Sequence, residues 1–419
     1  MSTRRKFLQL LPGFALIPEL SNAFENDQLH WLEKEATYDD EDYWFRIQQA
    51  YTVSPNIINL NNGGVSPQPK VVQETFEYYN RLSNEAPSYY MWRILDQGRE
   101  ALRQSLADLA GCDASEIAIN RNATEALGTI IMGIPLNEGD EVVLSKQDYP
   151  NMLNAWKWRE KRDKIKLVFV DHELPCEDNK ELASRYAKLF TKKTKVVHIT
   201  HVINWTGQIL PCKLIADEAK KQDIHVVIDG AHSFAHFQFN IPDLGGDYFG
   251  TSLHKWLCAP FGTGMLWVKK DRIAGLPPLF PGDKPESDDI KKYETLGTRS
   301  FPTELATGRS IDFHQGIGSK RKADRLHYLK NYWAEKVQSI KGVKIQTSLQ
   351  KEFAGAVALF SIEGKKPQEI EATLFKDYGI HTVAIDWENI HGVRVTPNLY
   401  TNLNDLDKLI KGINSLAKT

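Results

Sequence analysis

Cysteine is scarce in this 419-residue chain: Cys112, Cys176, Cys212 and Cys258 are its four, and no two form a Cys-x-x-Cys pair. That spacing excludes a finger-type zinc site, and no metal is expected. Charge of one sign is lacking too, since 52 Lys and Arg stand against 54 Asp and Glu, a net charge of -2, without a long basic block. Phosphate backbones demand clustered cations, so nucleic acid is excluded as the main partner and a small-molecule substrate is expected. Long apolar runs are also missing, which leaves no segment able to span a bilayer in the mature chain.

The first residues, MSTRRKFLQLLPGFALIPELSNAFEN, place Arg4 and Arg5 before a short apolar stretch and then small residues ending at Ala23. That order reads as a twin-arginine export signal over 1–23, with Ser21-Asn22-Ala23 as the cleavage site and a soluble periplasmic or otherwise exported protein as the product. This route carries proteins already folded, which hints at a cofactor inserted before export.

From about Gln97 to Lys269 short apolar runs alternate with helical stretches. The runs are Glu116–Asn120, Glu141–Ser145, Leu167–Asp171, Lys195–Val202, His225–Asp229 and Gly264–Val268. Such alternation predicts an α/β fold with a mostly parallel sheet sandwiched by helices, whose sites lie at the carboxyl ends of strands. The Pro- and Gly-rich segment 275–289 breaks the rhythm, a helical stretch follows over 302–340, and a smaller α/β C-terminal domain closes the chain. The expected division is an N-terminal segment over 24–58 that packs with the small domain, a large domain over 59–300 and a small domain over 301–419.

Asp229 ends the strand HVVID, and Lys255 follows the apolar run DYFGTSLHK, so an acid and an amine converge on one sheet edge. Each alone reads as a turn former or a solvated surface residue. Together they fit pyridoxal 5'-phosphate, whose aldehyde forms a Schiff base with lysine and whose ring nitrogen needs an anion to stay protonated. The cofactor's phosphate needs backbone amides at a helix start, and IAINRNATEALGTII supplies a strand, a turn and a helix opening at Ala123 and Thr124.

These residues carry a resemblance. LNNGGVSPQP, NATEA, DGAHS and HKWLCAPFGTG, in this order, resemble the fold-type-I pyridoxal phosphate enzymes of the class V aminotransferase family, and within it the isopenicillin N epimerase-like branch. The resemblance implies that Lys255 carries the Schiff base and moves the α-proton, that Asp229 pairs with the ring nitrogen, and that His232 and Asn204 face the ring hydroxyl. It further implies that Tyr149 stacks on the ring and that Ala123, Thr124, Ser252 and His254 hold the phosphate. Thr298 reaches the phosphate of a neighbouring subunit, implying a homodimer with shared sites, while Arg394 in HGVRVTPNLY clamps a substrate carboxylate and Asn62 contributes beside it. His232 and His236 also have metal-like i, i+4 spacing, which the motif explains better.

Once the Cα proton leaves, three fates share the same first step. Transamination is the leading expectation, with epimerisation and β-elimination beside it; an epimerase needs a second acid or base, for which Tyr90 and His254 are the candidates. Cysteine desulfurase chemistry is disfavoured because no cysteine follows Cys258. A non-catalytic binding protein on the same fold is the reading from another class, and the intact Asp, Lys and phosphate set argues against it. A nicotinamide enzyme fails on context, since FGTGML lacks the third glycine of its fingerprint and precedes a strand.

Overall fold

The computed structural model describes residues 26–418; the expected export signal lies outside the described residues. Helix α1 (Glu41–Gln49) is capped by Asp40 and buries Tyr43, Trp44 and Ile47. Strand β1 (Ile58–Asn59) leads into helix α2 (Lys70–Glu85), which the sequence reading did not foresee. Its mixed face carries Tyr79 and Leu82, and it is covered by a helix more than 200 positions later.

The large sheet is built from β2 (Ile117–Asn120), β3 (Glu141–Ser145), β4 (Lys166–Val170), β5 (Thr194–Thr200), β6 (His225–Asp229), β7 (Tyr248–Ser252) and β8 (Gly264–Val268). Their spatial order is β2-β8-β7-β6-β5-β3-β4, parallel throughout the block from β7 to β4. Strand β8 returns antiparallel between β2 and β7, a pairing that local patterning could not show. The central strands are buried on both faces, as parallel strands under helices must be. Helix α3 (Gly98–Ala110) leads into β2, and the crossover helices are α4 (Ala123–Gly133), α5 (Pro150–Asp163), α6 (Asn179–Ala187) and α7 (Cys212–Lys220).

After an irregular passage through 275–289, the expected single helical stretch is two helices, α8 (Phe301–Ile317) and α9 (Ser319–Val337). Gly318 separates them at φ 88, a backbone conformation open to glycine and closed to most residues. The C-terminal part is an antiparallel sheet of β9 (Val343–Ile345), β10 (Ala358–Ile362), β12 (Val383–Trp387) and β13 (Ile390–Val395), ordered β12-β13-β10-β9. It packs on α10 (Pro367–Tyr378) and α11 (Leu403–Leu416), while β11 (Ile380–His381) pairs with β1. Helix α1 joins Phe313 and Leu326 in one apolar cluster, which also takes in Trp256, the residue after Lys255. Among the described residues no helix is long and apolar enough to cross a membrane.

Candidate active site

Strand β6 stays apolar through Val226, Val227 and Ile228 and ends where polarity changes, at Asp229. The carboxylate therefore stands at the carboxyl edge of the sheet, where open parallel sheets hold ligands. Asp229 is buried and its Oδ1 accepts a 2.9 Å hydrogen bond from the Ala231 amide. Burial pushes its carboxyl above the usual range, and the Ala231 amide and Lys255 pull it back.

Lys255 lies three residues beyond β7, the strand parallel to β6. Its Nζ is 2.9 Å from His232 Nε2 and 6.0 Å from the centre of the Tyr149 ring. Burial brings the amine down to about 8; Arg394 adds to the fall and Asp229 opposes it. Such an amine is partly neutral near neutral pH, the state in which it can act as nucleophile or base. Burial, then Lys255, Arg394 and His236, hold His232 well below the usual imidazole value, so it is neutral. With Lys255 donating, Nε2 accepts and the proton sits on Nδ1, which is buried without a partner.

His236 serves as structure behind His232. Its Nδ1 lies 2.8 Å from the His232 carbonyl, its Nε2 accepts the Ala356 amide at 2.8 Å, and its ring stacks on Trp256 with centroids 3.8 Å apart. Both nitrogens are occupied, so the i, i+4 histidine pair tethers the Lys255 loop to the chain entering β10.

At the other end of the cavity, β2 stops at Asn120 and α4 starts at Ala123. Asn122 caps the helix by accepting the Glu125 amide at 2.9 Å, and the Ala123 amide donates to Ser252 Oγ at 2.9 Å. A Cβ on Gly264 would lie 2.5 Å from the Asn122 backbone, so only glycine lets β8 pass this close to the helix start. Thr124 is exposed beside Ala123, and His254 is half-buried with Nδ1 3.0 Å from the Thr263 carbonyl. Amides and hydroxyls at a helix start make an anion cradle.

Arg394 rises from β13 into the same region and is buried. Its Nη1 donates to the Asn204 carbonyl at 2.9 Å, its Nη2 donates to Asn61 Oδ1 at 2.8 Å, and its Nε has no partner. Burial lowers the guanidinium to about 10, still charged at neutral pH. Asn62, expected beside the substrate, points the other way: its amide donates to the Asn59 and Thr396 carbonyls and its Oδ1 accepts the Tyr400 hydroxyl at 2.6 Å. Asn61 is thus the residue of the pair that reaches Arg394. The sequence signal for it was the doubled asparagine; which one turns inward depends on local backbone parity.

Thr298 is exposed in the passage between Glu294 and α8. That passage is anchored by Glu294, which accepts the Ile119 amide at 2.7 Å and pairs with Arg99 and Arg103. Tyr90 packs with Tyr79, Leu82 and Phe301. Two further residues were missed by sequence reading. Asp148 is buried beside Asp229, although Asp before Tyr-Pro reads as a plain turn, and Thr200 donates to Asp148 Oδ1 at 2.7 Å.

Among the described residues, His232 Nδ1, Asn204 Oδ1 and Arg394 Nε are buried near Lys255 without a hydrogen-bond partner. At the carboxyl edge of the sheet these atoms are free to bond a polar guest. An amine for an aldehyde, a carboxylate for a ring nitrogen, an aromatic face and an anion cradle together fit pyridoxal phosphate.

The comparisons agree with the geometry. The family model described as aminotransferase class-V matches residues 57–409. Among curated relatives, the isopenicillin N epimerase of Streptomyces clavuligerus is 25% identical over 392 residues, covering 89% of this chain and 98% of that one. A probable cysteine desulfurase of Halalkalibacterium halodurans is 26% identical, covering 88% and 94%. Of solved structures, the apo cysteine desulfurase from Thermococcus onnurineus NA1 superposes with TM-score 0.79 at 21% identity, over 92% of this chain and 99% of that one. The complex of the cystine C-S lyase C-DES with cysteine persulfide gives TM-score 0.77 at 21% identity, over 86% and 98%.

Proposed function

The chain belongs to the aminotransferase class-V family, and from that premise we propose that it is a pyridoxal phosphate enzyme that moves the Cα proton of an amino acid or amino-acylated metabolite. The observation that carries this reading is the convergence at one sheet edge of a depressed amine at Lys255, a buried carboxylate at Asp229 and an unpaired donor on Arg394. When bound, the cofactor supplies an electron sink that stabilises negative charge at the substrate Cα. Lys255 would hold the aldehyde, and its amine is the base placed to take the substrate's Cα proton. Asp229 would partner the ring nitrogen from the carboxyl edge of the sheet. Ala123, Thr124 and Ser252 would hold the phosphate, Tyr149 would lie against the ring, and His232 offers Nδ1–H to an oxygen acceptor. Arg394 orients the substrate carboxylate through its fork, an arrangement lysine could not supply.

Transamination is the first reading; epimerisation is the second, favoured by a relative named for that activity along 98% of its length. Persulfide chemistry is poorly supported by the geometry, because Cys258 is buried with Sγ 3.7 Å from Asn398 Nδ2 and no later cysteine exists. We also read the protein as exported and as a homodimer in which Thr298 serves a partner's site; periplasmic fractionation and light scattering test these.

The deciding experiment incubates the cofactor-loaded protein and Lys255→Ala with amino acids in deuterated water. Cα exchange in the first and none in the second is expected, and the product sorts the fates: a keto acid for transamination, the enantiomer for epimerisation, a β-eliminated fragment for a lyase. Failure to take up pyridoxal phosphate, or uptake without exchange for any amino acid, overturns the reading.

A further inference from the structure

Behind Asp229 lies a second buried acid that the chemistry above does not use. Asp148 closes the turn after β3: its Oδ2 accepts the Ser145 amide at 2.8 Å, and its own amide donates to the Ser145 carbonyl at 3.2 Å. Its Oδ1 accepts the Thr200 hydroxyl at 2.7 Å, and Thr200 stands in register opposite Asp229 across the β5–β6 pair. Thr200, on the strand between β3 and β6, thus bonds the Asp148 carboxylate and lies in register beside Asp229. The next residue along is Tyr149, the N-cap of α5, whose ring is 6.0 Å from Lys255 Nζ.

We propose that Asp148 is a positioning residue for the reaction at Lys255, which holds the Tyr149 turn against β5 through Thr200 and makes the charge environment of Asp229 depend on pH. The groups facing it are Asp229 from β6, the Thr200 hydroxyl from β5, the Ser145 amide from β3 and the Tyr186 phenol from α6, so no cation among the described residues neutralises it. Burial, with Asp229 adding to it, pushes the Asp148 carboxyl up to about 7, while the two hydrogen bonds restrain the rise. Below that pH Asp229 has a neutral neighbour; above it, a second negative charge stands behind the ring-nitrogen partner and strengthens its hold on a proton. A turn former without this role would keep its charge throughout the working range.

The linkage sign gives a test independent of the cofactor. A carboxyl raised in the folded state binds more protons folded than unfolded between about pH 4 and 7, so its contribution to stability falls as pH rises through that window. Asp148→Asn keeps an acceptor for the Ser145 amide and offers Thr200 a donor, but cannot ionise. The melting temperature of apo Asp148→Asn relative to wild type should therefore climb from pH 4.5 to 7.5 and level off above it. Thr200→Val, which removes a donor to the ionised carboxylate, should fall relative to wild type over the same range, and Thr200→Ser should restore wild-type behaviour. Differences that stay constant with pH overturn the proposal, and the threonine pair decides it alone if Asp148→Asn does not fold. The second readout rests on the proposed function: with pyridoxal phosphate bound, the pH midpoint of the near-visible absorption change should move in Asp148→Asn by at least about half a unit. A titration superimposable on wild type overturns the link to Asp229. Absence of any cofactor band in wild type refutes the cofactor reading instead, and leaves the melting series to judge Asp148.

Discussion

Gly230 sits between the acid and the histidine of the site, and replacing it with alanine tests whether packing beneath the sheet edge sets their positions. A Cβ at 230 would lie 1.8 Å from Phe249 Cζ, 2.2 Å from Cε2 and 2.6 Å from Cε1, against ordinary contacts beyond 3.4 Å. Neither side can give way easily. The Gly230 amide donates to the Gly250 carbonyl at 2.9 Å, its carbonyl accepts from Ser233, Phe234 and the Thr251 hydroxyl, and the Phe249 ring is fully buried near Phe239. Overpacking of this kind costs about 1–3 kcal/mol, and a clash with three ring atoms belongs at the upper end. Urea unfolding of the apo-protein should show a lower midpoint at unchanged slope, and pyridoxal phosphate uptake should weaken because Asp229 and His232 move with the backbone. Phe249→Leu deletes the three offending atoms, so the double variant should recover at least about 1 kcal/mol relative to the sum of the singles. Gly230→Ala within about 0.5 kcal/mol of wild type and loading normally, or an additive double variant, would refute the reasoning.

Three other outcomes are expected. Arg394→Lys loses the planar fork held by Asn204 and Asn61, so KM for carboxylate-bearing substrates should rise about 10- to 100-fold while the melting temperature changes little; an amine substrate lacking the carboxylate serves as the control. Because Lys255 titrates near 8 and only its neutral form attacks an aldehyde, the rate of pyridoxal phosphate uptake by the apo-protein should climb with pH through about 8; Lys255→Arg should show no covalent uptake at any pH. Glu294→Ala leaves Arg99 and Arg103 facing each other without the anion between them, and should lower stability by about 3–5 kcal/mol in urea unfolding; Glu294→Gln, which still accepts the Ile119 amide, should lose less.

Much of the large sheet was legible because its strands are short, apolar and buried on both faces, a local signal that survives without knowledge of neighbours. Helix α2 was not, since its aromatic face finds its cover on α8, far along the chain. The antiparallel return of β8 was equally hidden, because an all-buried run looks the same whichever way it lies. Strands β1 and β11, two residues each, carry too little pattern to announce themselves.

At the site, much of the chemistry was written locally: an acid at a strand end, a lysine after the next apolar run and a capped helix start could each be picked out by residue type and spacing, while the arginine came from the family resemblance. What the sequence by itself determined is therefore which groups this protein owns and on which edge of a parallel sheet most of them must stand. Tertiary structure alone decided which of Asn61 and Asn62 meets Arg394, how His236 locks Trp256 beside Lys255, and that Asp148 bonds Thr200 beside Asp229. The reason is physical: residue type and local periodicity act over a turn or a strand, whereas burial, register across strands and the acidity of an enclosed carboxyl depend on atoms brought close only when the whole chain has packed.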